Sequence, residues 1–365
     1  MTFKEEVAKI YEQLGDGLSK KIFENRFLYY FTEDTRFSVD YILTLIPKLE
    51  DARIELKSIL SLYNDIIVYG LGTGSRHVDI LYGKDNVLAF CDSDVNKREM
   101  SIRKGYNVVS PEDMIAKFGQ ATILISAWRD NHIDEIVRFL SDSGFQKNQI
   151  LIYRDILSNI DPRLLEIATA YNQYFDADII KLTQDEVFID VGCFDGTVSV
   201  EFAKRCNNQY KKIIAFEPNL KSNPNLCNNL QKMDNIMVYP YCLWHKESEL
   251  CFENAGWFKG PTSRVVADLD DGALKIKAIK LDDILIKEAV ATTFIKMDIE
   301  GAELNALKGA KQTILAHRPK LAISIYHKPE DIWQIPSYIL SLHKDYDLRI
   351  RPYSLTGNEL VLYAV

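Results

Sequence analysis

The chain has 365 residues, a length typical of about two domains. Apolar residues make up 47% and charged residues 26%, which excludes a disordered chain, and the net charge of -8 disfavours nucleic acid as a partner. The sequence has no apolar run of the ~18–20 residues that a membrane span needs, its start does not resemble a signal peptide, and its 6 cysteines form no C-x-x-C pair. We therefore expect a cytoplasmic protein with reduced thiols, no nucleic-acid partner and no membrane span; a homodimer remains open.

Residues 1–60 are predicted to be a helical N-terminal segment. Apolar residues recur at helical spacing between Val7 and Leu14 and predict the first helix. A second helix is predicted over 18–31 and a third around 37–46, before a proline. Because three helices of mixed polarity cannot close a core alone, we expect them to pack against the segments that follow.

Residues 61–155 are predicted to form a smaller Rossmann-like α/β domain. Short apolar runs rich in β-branched residues alternate there with helix-like segments, a pattern typical of a parallel sheet covered by helices. The runs are 66–70, 87–91, 106–109, 122–126 and 149–153. Such a set corresponds to about one mononucleotide-binding half of a dinucleotide fold.

A glycine-rich segment from Gly70 to Ser75 follows the first of these runs, and Asp92 follows the second. The pattern is close to a dinucleotide fingerprint, but Ser75 stands where the third glycine belongs. This part of the chain resembles the nucleotide-binding N-terminal domain of bacterial sugar acyltransferases. Binding of a nucleotide or nucleotide-sugar and a structural or dimerising role both remain open.

A linking helix is predicted within residues 156–182, where Asp161 precedes a proline in a good helix start. The α/β pattern then restarts in residues 183–365, which we predict to be a second domain. Its apolar runs are 187–192, 212–218, 236–242, 293–298 and 320–326, and its final antiparallel hairpin is 346–353 and 359–365, joined by a turn at Thr356-Gly357-Asn358.

The second α/β block contains a glycine loop and then an acid on the next strand. The first strand ends in Asp190, and Gly192 and Gly196 let the backbone approach a ligand closely before a helix begins. Glu217 ends the next strand, near the position at which an acid takes ribose hydroxyls in dinucleotide folds. The Gly-Lys-Ser/Thr ending of a phosphate loop is missing. The pattern favours a ribose-containing cofactor, and the acids also suit a sulfonium.

Four segments in this order resemble the FkbM family of S-adenosylmethionine-dependent methyltransferases. They are FIDVGCFDGTVSVEFAK (188–204), IIAFEPN (213–219), FIKMDIEGAELNALKGA (294–310) and ISIYHKPEDIWQIPSYI (323–339). The likeness extends from about Gln173 to Val365. It implies a class I methyltransferase fold, which is an α/β fold with a seven-stranded sheet and an antiparallel final hairpin, and S-adenosylmethionine as cofactor. Many bacterial members of the family sit among enzymes of surface-polysaccharide and glycan synthesis.

The resemblance also implies positions for the cofactor. Carried over by position, Asp190, Gly192 and Gly196 should line its methionine end, and Glu217 should hold its ribose. The segment Cys193-Phe194-Asp195 departs from the small residues that many members have there.

The loop after the third strand of this block should cover the adenine, through Cys242 and Leu243. Aromatic side chains near the predicted site are candidates for stacking on a sugar, although aromatic residues more often belong to the core. The candidates are Trp244, Trp257 and Trp333.

Asp298 ends the fourth strand and His327 follows the fifth, so both should lie at the ligand edge of the sheet. We expect the two to flank the transferred methyl group and to act as a general base and its orienting partner. Glu300 is a candidate substrate-binding residue, whereas Glu303 suits the acidic start of a helix. The trio Asp298, Glu300 and His327 could instead hold Mg²⁺, but one histidine among carboxylates is weak evidence, and we expect no obligatory metal.

The favoured interpretation is an S-adenosylmethionine-dependent O-methyltransferase that acts on a hydroxyl of a small-molecule or glycan acceptor. One alternative is an NAD(P)-dependent nucleotide-sugar epimerase or oxidoreductase that uses the first α/β block. The missing third glycine and the lack of a nearby Tyr-x-x-x-Lys pair count against it. A second alternative is a non-enzymatic module that binds a nucleotide-sugar.

Overall fold

The chain folds into two units in the computed structural model. Unit 1 comprises residues 1–34, 172–352 and 359–365, and unit 2 comprises residues 35–171 and 353–358. The structure describes residues 2–32, 49–162, 164–165, 172–220, 224–231, 233–253, 264–266, 274–354 and 359–365. None of the helices in these ranges is long and apolar enough to cross a lipid bilayer.

The predicted N-terminal helical segment is divided between the two units. Helices α1 (Phe3–Gln13) and α2 (Gly17–Thr32) belong to unit 1, whereas α3 (Leu49–Leu60) belongs to unit 2. The helix predicted around 37–46 lies outside the described residues.

Unit 2 is built on a parallel five-stranded sheet. Its strands are β1 (Ile66–Tyr69), β2 (Ala89–Cys91), β3 (Val108–Val109), β4 (Thr122–Ile125) and β5 (Ile150–Ile152), in the order β3-β2-β1-β4-β5. Its further helices are α4 (Thr73–Leu81), α5 (Val95–Arg103), α6 (Pro111–Lys117), α7 (Asp130–Asp142) and α8 (Tyr153–Ile160). Each of the five predicted apolar runs contains one of these strands.

Both faces of this sheet are covered, because successive side chains of a strand point to opposite faces. Val68 of β1 packs in a cluster with Leu56 of α3 and Leu157 of α8. Its neighbour Ile67 packs in a separate cluster with Met114 of α6 and Leu140 of α7. The continuous apolar runs of the sequence are therefore explained by burial on two sides.

Unit 1 contains a seven-stranded sheet. Its strands are β6 (Val187–Val191), β7 (Lys212–Phe216), β8 (Ile236–Tyr239), β13 (Phe294–Met297), β14 (Lys320–Ser324), β15 (Leu348–Pro352) and β16 (Leu360–Ala364), in the order β15-β16-β14-β13-β6-β7-β8. Strand β16 runs antiparallel to both of its neighbours, and the remaining pairs are parallel. The predicted α/β class and final hairpin are confirmed; the turn predicted at 356–358 lies outside the described residues.

A second, four-stranded sheet in unit 1 was not predicted. It consists of β9 (Cys242–Leu243), β10 (Ser248–Glu253), β11 (Arg264–Val266) and β12 (Leu274–Ile279), in the order β11-β10-β12-β9. Strand β12 alternates apolar and charged residues instead of forming a continuous apolar run. Continuous apolar runs, which located the strands of the seven-stranded sheet, therefore do not mark these strands.

The helices of unit 1 beyond α2 follow the strands in alternation. They are α9 (Thr197–Arg205), α10 (Pro224–Leu230), α11 (Leu281–Glu288), α12 (Glu303–Gly309), α13 (Lys311–His317) and α14 (Asp331–Leu342). Residues 172–182, in the segment predicted to link the two blocks, form turns. Helical residues do occur at 162 and 164–165, but residues 166–171 lie outside the described part of the chain.

The N-terminal helices of unit 1 cover the edge strand β15. Gly15 N donates to the carbonyl of Leu348 at 2.8 Å, and Ile350 N donates to Ser19 Oγ at 2.9 Å. Arg351 pairs with Asp16 at 2.5 Å. Unpaired edges invite association with other chains, so these contacts protect the sheet.

Candidate active site

The candidate site lies where the carboxyl ends of β6, β13 and β14 meet. These three strands are neighbours in the seven-stranded sheet, and ligands of open α/β sheets bind beyond this edge. The glycine loop follows β6, Asp298 follows β13, and His327 lies shortly after β14. The topology thus collects residues that are far apart in the sequence.

A buried ion pair joins the ends of β6 and β13. Lys296 Nζ lies 3.0 Å from Asp190 Oδ1, and the two side chains are 2% and 0% exposed. Ser199 Oγ donates to Asp190 Oδ2 at 2.7 Å, and Lys296 Nζ also donates to the carbonyl of Gly192 at 2.8 Å. Both oxygens of Asp190 are therefore engaged within the protein, and Asp190 holds the glycine loop in place. The signal for this pair in the sequence was Lys296 itself, a charged residue inside an apolar strand.

The glycine loop needs glycine at two positions for a steric reason. Gly192 has φ +77°, and a Cβ there would lie 2.1 Å from the carbonyl oxygen of Asp298. Gly196 has φ +79° and precedes helix α9, and a Cβ there would meet Leu230 at 2.8 Å. The loop backbone is consequently packed against the chain that follows β13, and Asp195 Oδ1 caps the start of α9 by accepting the N–H of Thr197 at 3.0 Å.

Glu217 follows β7 beside the glycine loop. Phe194 N donates to Glu217 Oε2 at 3.1 Å, and Asn219 N donates to Oε1 at 2.9 Å. A carboxylate has about four acceptor positions, so these bonds orient Glu217 and leave it able to accept further hydroxyls. Burial raises the pKa of Glu217, and its charge adds to burial in raising the pKa of Cys242 to about 12. Cys242 therefore lies within electrostatic reach of Glu217.

The residues predicted to cover the adenine form strand rather than loop. Cys242 and Leu243 are buried in β9 and pair with β12. Trp244 follows them, and its carbonyl oxygen would lie 2.0 Å from a Cβ at Gly309, so α12 approaches this strand closely.

The tryptophans predicted for sugar stacking have different surroundings. Trp333 is 9% exposed and packs edge-on against Phe3 of α1 and Tyr30 of α2, so aromatic side chains of the N-terminal helices cover it. Trp244 is partly buried next to His245, with 5.5 Å between the ring centres. Trp257 lies outside the described residues.

Asp298 is held by two tyrosine hydroxyls. Tyr174 OH donates to Asp298 Oδ2 at 2.6 Å, and Tyr326 OH donates to Oδ1 at 3.4 Å. Tyr174 is buried, has a φ of +69°, and precedes Asp298 by 124 residues. The predictions from sequence did not include either tyrosine. Tyr174 lies in the turns before β6, where no periodic pattern points to a site residue.

His327 stands among three carboxylates, and its side chain is 8% exposed. Nδ1 lies 2.9 Å from Glu303 Oε1, and Nε2 lies 3.5 Å from Asp298 Oδ1 and 3.4 Å from Glu300 Oε2. The N–H directions of the ring are not aligned with these oxygens, so the contacts are ion-pair contacts rather than aligned hydrogen bonds. The structure brings Asp298 and His327 together as predicted and adds Glu303, which was predicted only as a helix-start residue.

The cluster carries an excess of negative charge, which changes how its members titrate. Burial opposes a charged imidazolium, but the close carboxylate of Glu303 and the charges of Asp298 and Glu300 raise the pKa of His327 to about 9. Burial, with the neighbouring carboxylates, raises the pKa of Glu300 to about 7. Burial and the charge of Glu303 likewise raise the pKa of Asp331 to about 7. Such a pocket favours a ligand with a positive centre.

One group of atoms among the described residues could share a metal ion. Asp298, Glu303 and His327 each offer one atom, and these atoms lie within 4.8 Å of one another. Glu300, which the sequence had suggested as the third ligand, is not in the group. Both nitrogens of His327 already face carboxylates, which supports the expectation of no obligatory metal. That expectation stays a prediction.

The glycine segment of unit 2 also lies at the carboxyl edge of its sheet. Leu71 N donates to Asp92 Oδ2 at 2.7 Å, and Asp94 N donates to Oδ1 at 2.8 Å. Ser75, which occupies the place of the third glycine, is buried, and its Oγ donates to the carbonyl of Gly72 at 2.8 Å. The serine thus has a local structural role in the loop.

A comparison with known families gives a match within unit 1. Residues 190–352 match the family model described as the methyltransferase FkbM domain. The resemblance read from the sequence is confirmed for this part of the chain, which is similar to methyltransferase domains of that family.

Two solved structures are similar to this chain. The crystal structure of a methyltransferase FkbM from Methylobacillus flagellatus KT is 19% identical, covers 87% of this chain and 98% of its own, and has a TM-score of 0.46. The crystal structure of a fibrillarin/Nop5p complex is 15% identical, covers 51% of this chain and 74% of its own, and has a TM-score of 0.31. A search of the curated proteins gave no match.

Proposed function

We propose that the methyltransferase domain uses S-adenosylmethionine to methylate a hydroxyl group of a sugar or glycan. One observation carries the proposal: the glycine loop with Glu217 and the acidic cluster around His327 lie on the same edge of one sheet. The first suits a ribose-containing cofactor, and the second suits proton transfer from an acceptor. The carbohydrate part of the proposal rests on the resemblance of residues 173–365 to a family found among glycan-synthesis enzymes.

The residues that would hold the cofactor fit its chemistry. Glu217 is oriented by two backbone N–H groups and keeps acceptor positions for the two hydroxyls of a ribose. At Gly192 the positive φ and the collision of a Cβ with the Asp298 carbonyl oxygen exclude a side chain, so the loop would present its backbone to the methionine portion. Asp190 supports this loop through Lys296 instead of binding the cofactor directly.

S-Adenosylmethionine supplies an electrophilic methyl group on a positively charged sulfur. The carboxylates of Asp298 and Glu303 would stabilise such a charge, since His327 alone does not neutralise both of them. A hydroxyl that attacks the methyl group must lose its proton, and a carboxylate of the cluster is placed to accept it. Alignment of the two reactants within a closed pocket would supply the remaining acceleration.

A labelled-methyl transfer screen tests this function. The purified full chain is incubated with S-adenosylmethionine carrying a labelled methyl group and with nucleotide-sugars or surface-glycan fragments. We expect label in a carbohydrate, located on oxygen by mass spectrometry. Calorimetry run in parallel reports cofactor binding. Absence of cofactor binding would contradict the proposal, and binding with transfer only to nitrogen or carbon would contradict the hydroxyl acceptor.

A further inference from the structure

The carboxylate that takes the proton can be identified by asking which group of the cluster keeps a free and reachable oxygen. A general base needs an unoccupied lone pair within hydrogen-bond distance of the proton that it removes. Four side chains compete for the role: those of Asp298, Glu300, Glu303 and His327.

Asp298 is the expected base from its position, but each of its oxygens already faces a tyrosine hydroxyl. Oδ2 accepts the hydroxyl of Tyr174 at 2.6 Å, and Oδ1 faces the hydroxyl of Tyr326 at 3.4 Å. Asp298 is therefore better suited to hold the two tyrosines and His327 than to accept a proton.

His327 and Glu303 are unsuited for different reasons. Both nitrogens of His327 face carboxylates, so the ring is stabilised as the protonated imidazolium, which has no lone pair to offer. Glu303 is 0% exposed, and its Oε1 accepts the backbone N–H of Ile299 at 2.8 Å. A substrate hydroxyl cannot reach Glu303 from solvent.

Glu300 remains, and its setting differs from that of the others. Its side chain is 21% exposed, similar to the 24% of Asp298, and Oε2 lies 3.4 Å from His327 Nε2. The difference from Asp298 lies in the hydrogen bonds. In the described part of the chain no backbone or side-chain group donates a hydrogen bond to Glu300. Its φ is +56° and that of Gly301 is +91°, so the turn after β13 holds a non-glycine residue in a sparsely populated conformation.

We infer that Glu300 accepts the proton of the acceptor hydroxyl and that His327, fixed by Glu303 and Asp298, positions Glu300 for this step. The inference rests on the proposed function. As the oxygen–methyl bond forms and the sulfur–methyl bond breaks, the hydroxyl proton passes to a carboxylate oxygen of Glu300. The electron pair of the broken bond stays on sulfur, so atoms and charges balance without another reactant.

The charges around Glu300 support this role. Burial raises its pKa; the positive charge of His327 opposes the rise, and the negative charges of Asp298, Glu303 and Glu359 add to it, giving a pKa of about 7. A base is most effective when its pKa lies near the operating pH. A raised carboxylate pKa means that the base is ready above pH 7 and becomes protonated as the pH falls through this value.

The test compares Glu300→Gln with Glu330→Gln, a matched amide substitution of the residue that precedes α14. We expect Glu300→Gln to lower kcat by about 10²-fold or more, with little change in acceptor KM or cofactor affinity. The fall of kcat on the acidic side of pH 7 should disappear with it. Glu300→Asp should recover part of kcat, and Glu330→Gln should behave as the wild type.

A second measurement does not depend on activity. Carbon-13 NMR of side-chain-labelled glutamates should show one carboxyl group titrating near pH 7 that is missing in Glu300→Gln. The inference is overturned if Glu300→Gln keeps wild-type kcat and its acidic limb, or if it loses cofactor affinity together with kcat. If the wild type transfers no methyl group but the NMR titration is present, the proposed function has failed while the assigned state of Glu300 stands.

Discussion

The two units of the chain contain nearly the same loop and differ in what stands beside it. In each, a glycine segment follows the first strand of a parallel sheet, and an acid at the end of the next strand accepts two backbone N–H bonds. Asp92 accepts from Leu71 and Asp94 in unit 2, and Glu217 accepts from Phe194 and Asn219 in unit 1. Local backbone geometry therefore does not distinguish the two sites.

The difference lies in the next strand of each sheet. In unit 1 the strand beside β6 ends in Asp298, which joins Glu300, Glu303 and His327. In unit 2 the strand beside β1 ends in Ser126, whose hydroxyl bonds to the carbonyl of Gly70 at 2.8 Å. The comparison shows that a glycine loop with an acid indicates only a place for a ligand, whereas the residues of neighbouring strands supply reaction chemistry.

The largest expected effect is a loss of turnover when the acidic cluster of unit 1 is changed, compared with a change in unit 2. His327→Ala removes the group that positions Glu300, and we expect turnover to fall by about 10²-fold, within the range for loss of acid–base catalysis. Asp298→Asn should act in the same direction. His132→Ala, an exposed histidine in α7, is the control and should leave turnover unchanged. Near-native turnover of both site variants in steady-state assays would show that the cluster only aligns the reactants.

The second prediction concerns the two acids that have the same hydrogen-bond pattern. Glu217→Ala should weaken S-adenosylmethionine binding by roughly 1–3 kcal/mol, the scale for loss of charge-assisted hydrogen bonds. Asp92→Ala should leave this affinity unchanged, because Asp92 belongs to the other unit. Isothermal calorimetry measures both. Equal losses in the two variants would mean that the loops cannot be assigned separate ligands.

The third prediction tests the loop of unit 2 by steric change. A Cβ at Gly74 would lie 1.8 Å from the carbonyl oxygen of Ser126, whereas a Cβ at Gly72 would meet nothing within 4 Å. Gly74→Ala should therefore destabilise the protein by about 1–3 kcal/mol, and Gly72→Ala should not. Denaturant unfolding followed by circular dichroism measures the difference, and cofactor affinity should be retained in both variants.

The fourth prediction uses pH to separate the units. Burial lowers the pKa of His77 in unit 2 to about 4, below the unfolded value of 6.5. Its contribution to stability is therefore complete above pH 6.5 and is lost as the pH falls, by about 1.4 kcal/mol per pH unit. In unit 1, burial raises the pKa of Asp16, but hydrogen bonds from Arg351 and Ser19 outweigh burial and lower this pKa to about 2. The contribution of Asp16 to stability is therefore lost only as the pH falls below 3.8, the ordinary value of the group.

Thermal unfolding of the wild type and of His77→Phe between pH 7 and 5 checks the contribution of His77 to stability. The variant should lose less stability than the wild type over that interval. Parallel curves for the two proteins would contradict the assignment.

The last prediction is that removal of metal ions has no effect on methyl transfer. An excess of chelator should leave methyl transfer unchanged, because His327 already has carboxylate partners for both nitrogens. The same treatment followed by added Mg²⁺ or Mn²⁺ is the control for a cation lost on purification. Loss of activity that either ion restores would reassign Asp298, Glu303 and His327 as metal ligands.

Strands buried on both faces were predicted well, because parallel sheets covered by helices leave continuous apolar runs in the sequence. Strands β9 to β12 were missed, since β12 alternates apolar and charged residues. The division of the N-terminal helices between the units also could not be read from the sequence. It depends on contacts such as that of Gly15 with Leu348 across almost the whole chain.

The sequence by itself determined the order of the elements, the two glycine loops, the acids after them, and the place of Asp298 and His327 at one edge. These features depend on local periodicity and on the rule that carboxyl ends of parallel strands meet. Only the tertiary structure decided which carboxylate oxygens accept hydrogen bonds from the protein, because Tyr174 reaches Asp298 from 124 residues away. That contact, the Lys296–Asp190 pair and the carboxylates around His327 arise from approach in space, and they set which group can accept a proton.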